Sequence, residues 1–168
     1  MKTFAQHEAD MALLNSNPEK FLEMAEERIR QNPNDASAYL DRFNARFKHG
    51  PLDLALADLD RSIALGQTHP LTTLTRGETL YRLGRIDDAL AEFRKGKALD
   101  PVLWRDFGGP VYEADCLARQ GDEAGAIAMC SKIRDDGYLS FGLFGLPHGT
   151  KQEITEEIRR RAAEKGLR

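Results

Sequence analysis

The sequence predicts an all-α solenoid of helix–turn–helix units, closed by a C-terminal capping helix. Three observations predict it. A block of apolar and acidic residues recurs after 34 residues, and the apolar positions inside each block follow a helical period. Glycine or proline falls at the same place in successive blocks, where a helix would have to end or begin.

The block Leu52-Asp53-Leu54-Ala55-Leu56-Ala57-Asp58-Leu59 returns 34 residues later as Ile86-Asp87-Asp88-Ala89-Leu90-Ala91-Glu92-Phe93. Only Leu54 changes character, becoming Asp88. Gly50 to Gly84 and Ala55 to Ala89 keep that interval, and Pro33 to Pro101 is twice it. Gly121 and Ala126 follow Gly84 and Ala89 after 37 residues, so about three residues have entered the connection from Val102 to Gly109. The expected organisation is a degenerate N-terminal repeat over 1–35 and three repeats over 36–140 (36–69, 70–106 and 107–140). An apolar connecting segment and the capping helix occupy 141–168, all in one structural domain.

Each element has its own signal. Asn32-Pro33-Asn34-Asp35 and Thr68-His69-Pro70 set a capping side chain beside a proline, which suits the start of each unit's first helix. Gly50-Pro51, Gly84-Arg85 and Gly121-Asp122 break the units in the middle, where glycine can take the left-handed conformation that ends a helix and Pro51 can occupy a first turn. In the second half of 70–106, Ile86, Ala89, Leu90 and Phe93 make an i, i+3, i+4, i+7 stripe rather than the alternation of a strand. The last helix opens with Thr150 and Glu153, a capping-box pair, and places Ile154, Ile158 and Ala162 four residues apart on one stripe. Between them, segment 139–147 holds two phenylalanines and three leucines among helix breakers. It is expected to cover the open end of the last repeat; the alternative is an exposed apolar patch for a partner or a second copy of the chain.

Composition narrows the function. With 24 lysines and arginines against 27 acids, net charge −3, dispersed along the chain, there is no electrostatic case for nucleic acid. The 41% hydrophobic content is that of a folding domain, and no stretch is apolar enough over some 18 residues to span a membrane. Cys116 and Cys130 match neither a zinc spacing nor a disulfide framework, and the N-terminus lacks the apolar run of a signal peptide, so a reducing cytoplasmic location is expected. His7, His49, His69 and His148 have no metal-ligand spacing. Asp106-Phe107-Gly108 reads like a kinase metal-binding triplet but lacks every companion motif. With no nucleophile–base pairing in view, the chain is expected to be no enzyme and to need no metal or cofactor.

A 34-residue helix–turn–helix unit resembles the tetratricopeptide repeat. Repeat 70–106 fits that pattern best, with Gly77 at the small site, Leu80, the Leu83-Gly84 turn, Ala89, Phe93 and Asp100-Pro101. Repeat 36–69 keeps Tyr39, Gly50, Ala55 and Leu59 but has Phe43 at the small site, and repeat 107–140 keeps Ala114, Leu117, Gly121 and Ala126. In 1–35 the match rests on Pro33, with Phe21 where the small residue belongs, which implies an irregular cap.

The resemblance implies a protein or peptide partner held in a concave groove lined by first helices. Its groove-facing positions are Asn44, Phe47 and Lys48, then Glu78, Tyr81 and Arg82, then Asp115, Ala118 and Arg119. Leu40, Thr75, Gly108 and Tyr112 stand where a carboxylate-clamp subset of the family has Lys, Asn, Lys and Arg, so chaperone-tail binding is not implied. Tyr81→Ala and Arg82→Ala are expected to leave the fold largely intact and weaken binding. Two other readings stay open: a dedicated secretion chaperone or immunity-type protein for one partner, and a small-ligand sensor or enzyme with an unrecognised pocket.

Overall fold

A computed structural model of the chain describes residues 4–135 and 149–166. Among them are ten α-helices and no strand. The chain divides into two compact units, one ending at Thr68 and one beginning at His69, at the boundary between repeats 36–69 and 70–106.

The first unit holds α1 (Phe4–Ser16), α2 (Pro18–Gln31), α3 (Ala36–His49) and α4 (Leu52–Ala64). Asn17 caps α2 by accepting the Lys20 N–H, and Asp35 caps α3 by accepting those of Ser37 and Ala38. Phe21 fills the core beneath α1 and α2 together with Leu14 and Ala45. The α3–α4 hairpin closes over Phe43, Ala55 and Leu59, and its ends are tied by Ser62 Oγ donating to the Ala36 carbonyl at 2.8 Å.

The second unit holds α5 (Pro70–Arg82), α6 (Ile86–Leu99), α7 (Pro101–Asp106), α8 (Gly109–Gln120), α9 (Glu123–Cys130) and α10 (Lys151–Gly166). His69 caps α5 through Nδ1, which accepts the Leu71 N–H at 3.1 Å. Gly84 and Gly121 close α5 and α8 at φ 76° and 85°, the left-handed turn expected of them. Gly77 lets α6 approach: a Cβ there would meet the Phe93 ring at 3.0 Å. The residues inserted after Val102 belong to α7, a six-residue helix capped by Asp100 that has no counterpart in the neighbouring repeats.

α10 packs on α8 and α9 through Ile154, Ile158 and Ala162, all essentially solvent-free. Its capping box is formed: the Thr150 N–H donates to Glu153 Oε2 at 2.7 Å, and the Glu153 N–H donates to Thr150 Oγ1 at 3.3 Å. Segment 139–147, with its two expected roles, lies outside the described residues. No described helix is long and apolar enough to cross a membrane.

A second 34-residue regularity appears only in three dimensions. Arg42 on α3 reaches Asp58 on α4 at 2.7 Å, and Arg76 on α5 reaches Glu92 on α6 at 3.0 Å. Both members advance by one repeat, so the same ion pair staples both hairpins.

Candidate partner-binding face

In the second unit the positions implied for the groove lie on α5 and α8, and most of them are wired together. Tyr81 donates its hydroxyl to Asp115, 34 residues on, across the two first helices. Arg119 Nε donates to the same carboxylate at 2.6 Å, and its guanidinium lies 5.3 Å from the centre of the Tyr81 ring. From α10, Arg161 Nη1 closes the other oxygen at 2.8 Å while its Nε donates to Glu157. Asp115 is therefore fully buried with three donors on two oxygens, the arrangement that makes a buried carboxylate tolerable.

Next to it, Tyr112 donates to Glu78, and burial pushes the Glu78 carboxyl above its usual range despite that bond and the nearby Arg82. Tyr112 also stands edge-on to Tyr81 at 5.3 Å and stacks on Phe93 at 4.7 Å. Burial and the acids beside them drive both tyrosine hydroxyls far above their usual values, so both remain donors.

The eight predicted site residues thus separate by exposure. Arg119 has 40% of its side chain in solvent, and Arg82 and Glu78 are half-buried. Tyr81 and Asp115 are buried, as is Ala118. The expectation that Tyr81→Ala leaves the fold largely intact is corrected by this burial: the ring is core, and its loss should cost about 3 kcal/mol. In the first unit, Lys48 is exposed and bonds Asn15 of α1, Asn44 is half-buried, and Phe47 leans on Phe43 as part of the hairpin core.

Arg161 and Glu157 were not among the predicted residues, since a capping helix has no repeat position to match. The signal available for them was the run of acids and bases at i, i+3 and i+4 along α10.

Other chemistry is muted among the described residues. Burial and the charge of Asp115 push the Cys116 thiol up to about 12, and burial also raises Cys130, so neither is a ready thiolate. No group of three potential metal ligands occurs. A cleft of about 510 Å³ at the α5–α6 turn is lined by polar groups already paired: Arg85 with Asp88, and Gln120 with Asp87.

Solved structures share this architecture. One is described as YrrB, a TPR protein with an unusual peptide-binding site; it is 17% identical, with a TM-score of 0.66 over 93% of this chain and 78% of its own. Two structures of MamA match at 16% identity. One has a TM-score of 0.66 over 94% of this chain and 84% of its own, and the other 0.63 over 99% and 96%. The fold is that of a tetratricopeptide-repeat protein. No protein-family model matches the sequence. At such identities the likeness is one of fold.

Proposed function

We propose that this chain is an interaction module that holds a peptide or protein segment against its first helices. The observation that carries the reading is the joined network on α5, α8 and α10. Tyr81 and Arg119, two of the groove-facing side chains, are held in place by the buried carboxylate of Asp115, while the guanidinium of Arg119 and the half-buried Arg82 and Glu78 stay within reach of solvent. A surface whose rotamers are fixed beforehand loses less entropy on binding. A fold shared with a protein described as having a peptide-binding site supports the same reading.

The test is affinity capture from the native host's lysate, comparing wild type with an Asn44→Ala, Lys48→Ala, Arg82→Glu variant. None of the three replaced side chains is fully buried, so the variant should keep its circular dichroism. A protein retained by the wild type and lost or weakened at least tenfold by the variant is the expected result. Equal retention by both would remove the binding role from these helices.

A further inference from the structure

The repeated Arg–acid staple is broken in the last repeat. Shifted by the 37 residues that separate repeats 70–106 and 107–140, the positions of Arg76 and Glu92 fall on Glu113 and Met129. An acid replaces the base and a thioether replaces the acid. Glu113 is 1% exposed, and its Oε1 completes no hydrogen bond.

What lies over it is the inserted helix α7. Its Trp104 is 4% exposed, and the indole N–H likewise completes no hydrogen bond. The ring rests on Gly109, where any Cβ would fall on the indole nitrogen, and Lys97 Nζ sits 4.4 Å from the ring centre. The indole N–H faces the Glu113 carboxyl as a donor without completing a well-formed bond, so the buried carboxyl is left under-satisfied, which is costly while it is ionised. Burial pushes Glu113 above its ordinary 4.5, opposed by Lys97, the Trp104 indole, Arg94 and Lys132. Those charges come from α6 and from the turn after α9.

α7 also reaches the candidate binding face. Three residues beyond Trp104, Phe107 stacks on Tyr112 with centroids 6.2 Å apart, and Tyr112 touches Tyr81 and Glu78. Glu113 and Tyr112 are neighbours on α8, so one short helix bears on both.

We propose that Glu113 and Trp104 form a proton-operated latch: protonation of Glu113 seats α7 on α8, ionisation loosens it, and Phe107 carries the change to Tyr112. The latch does not depend on the binding role above, only on the packing of α7. Neutral Glu113 can stay buried beneath the indole. The ionised form gains by hydration, which needs α7 to lift.

Trp104 is the sole tryptophan and reports on its own seat. Emission maximum and acrylamide quenching of the full chain are followed from about pH 4.5 to about pH 9, spanning the raised glutamate range. The wild type should shift to the red and quench more readily as pH rises through a midpoint above 4.5. Glu113→Gln, neutral throughout, should stay blue and protected. Glu78→Gln, which removes the other raised carboxyl beside Tyr112, should keep the transition. A flat wild-type profile, or a transition that survives in Glu113→Gln, overturns the latch. Independently of any variant, a Glu113 side-chain carbon titrating in the wild type at or below 4.5 by NMR overturns it too. Tyr112 ring protons that fail to follow the Trp104 midpoint overturn the link through Phe107.

Discussion

Asp115 occupies the repeat position that Asn44 and Glu78 hold earlier in the chain, yet it faces inward, because Tyr81 on one side and Arg161 on the other both need an acceptor there. Taking away that acceptor leaves the buried Tyr81 phenol without its partner and removes the Asp115 bond from both Arg119 and Arg161. Asp115→Ala should therefore cost about 3 kcal/mol in urea unfolding, the scale of breaking a buried pair by one partner. A loss under about 1 kcal/mol would mean that the network is a surface pair. Glu157 tests the same cluster through pH. Hydrogen bonds from Arg160, with Arg161 adding to them, hold its carboxyl down to about 2. A lowered folded-state pKa contributes stability that is present above the ordinary 4.5 and is lost as pH falls from there toward about 2. Glu157→Gln should cost about 1 kcal/mol at pH 7 after allowing for solvent screening, and the gap from wild type should close on acidification. The resemblance to the tetratricopeptide repeat put Asp115, Arg119, Tyr81, Arg82 and Glu78 at its groove-facing positions. It could not tell which of them turn inward, since that depends on the α10 side chains that happen to reach them.

At the scale of helices, the sequence was most legible where a local rule and the repeat agree. Asp35, His69, Gly84, Gly121 and the Thr150–Glu153 box all cap where the spacing puts them. The length of the inserted connection was visible, but its conformation was not. Six residues from Pro101 are too few for a readable stripe, and only Asp100 as a cap beside Pro101 marks a helix start. The Arg42–Asp58 and Arg76–Glu92 staples were also present at the repeat interval, hidden because charged positions on a helix read by default as solvated faces. The α5–α6 register carries a direct test. Ala89 is wholly buried in that hairpin, and an indole there has nowhere to go. Ala89→Trp should overpack the contact and lower stability by about 3 kcal/mol in thermal or urea unfolding. An unchanged melting temperature would mean that the two helices meet along a different face.

For the chain as a whole, the repeat period predicts a row of similar hairpins, and a row has no reason of its own to be partitioned. Within each unit the described cores tie particular helices together. Phe43, Ala55 and Leu59 serve α3 and α4, whereas Ile154, Ile158 and Ala162 bind α10 to α8 and α9 within the second unit. In repeat proteins stability is set by each hairpin and its nearest neighbours, so damage to one core is felt first by the elements that share it. Phe43→Ala removes a ring that is 1% exposed and should cost about 3–5 kcal/mol. Ile158→Ala, at a site with no exposure, should cost about 2–5 kcal/mol. In native-state hydrogen exchange, Phe43→Ala should strip protection from amides of α2, α3 and α4 and leave those of α5, α6 and α8 slow; Ile158→Ala should do the reverse, with α8, α9 and α10 opening first. Loss of protection in all helices at once, from either substitution, would mean that the two units unfold as a single cooperative body.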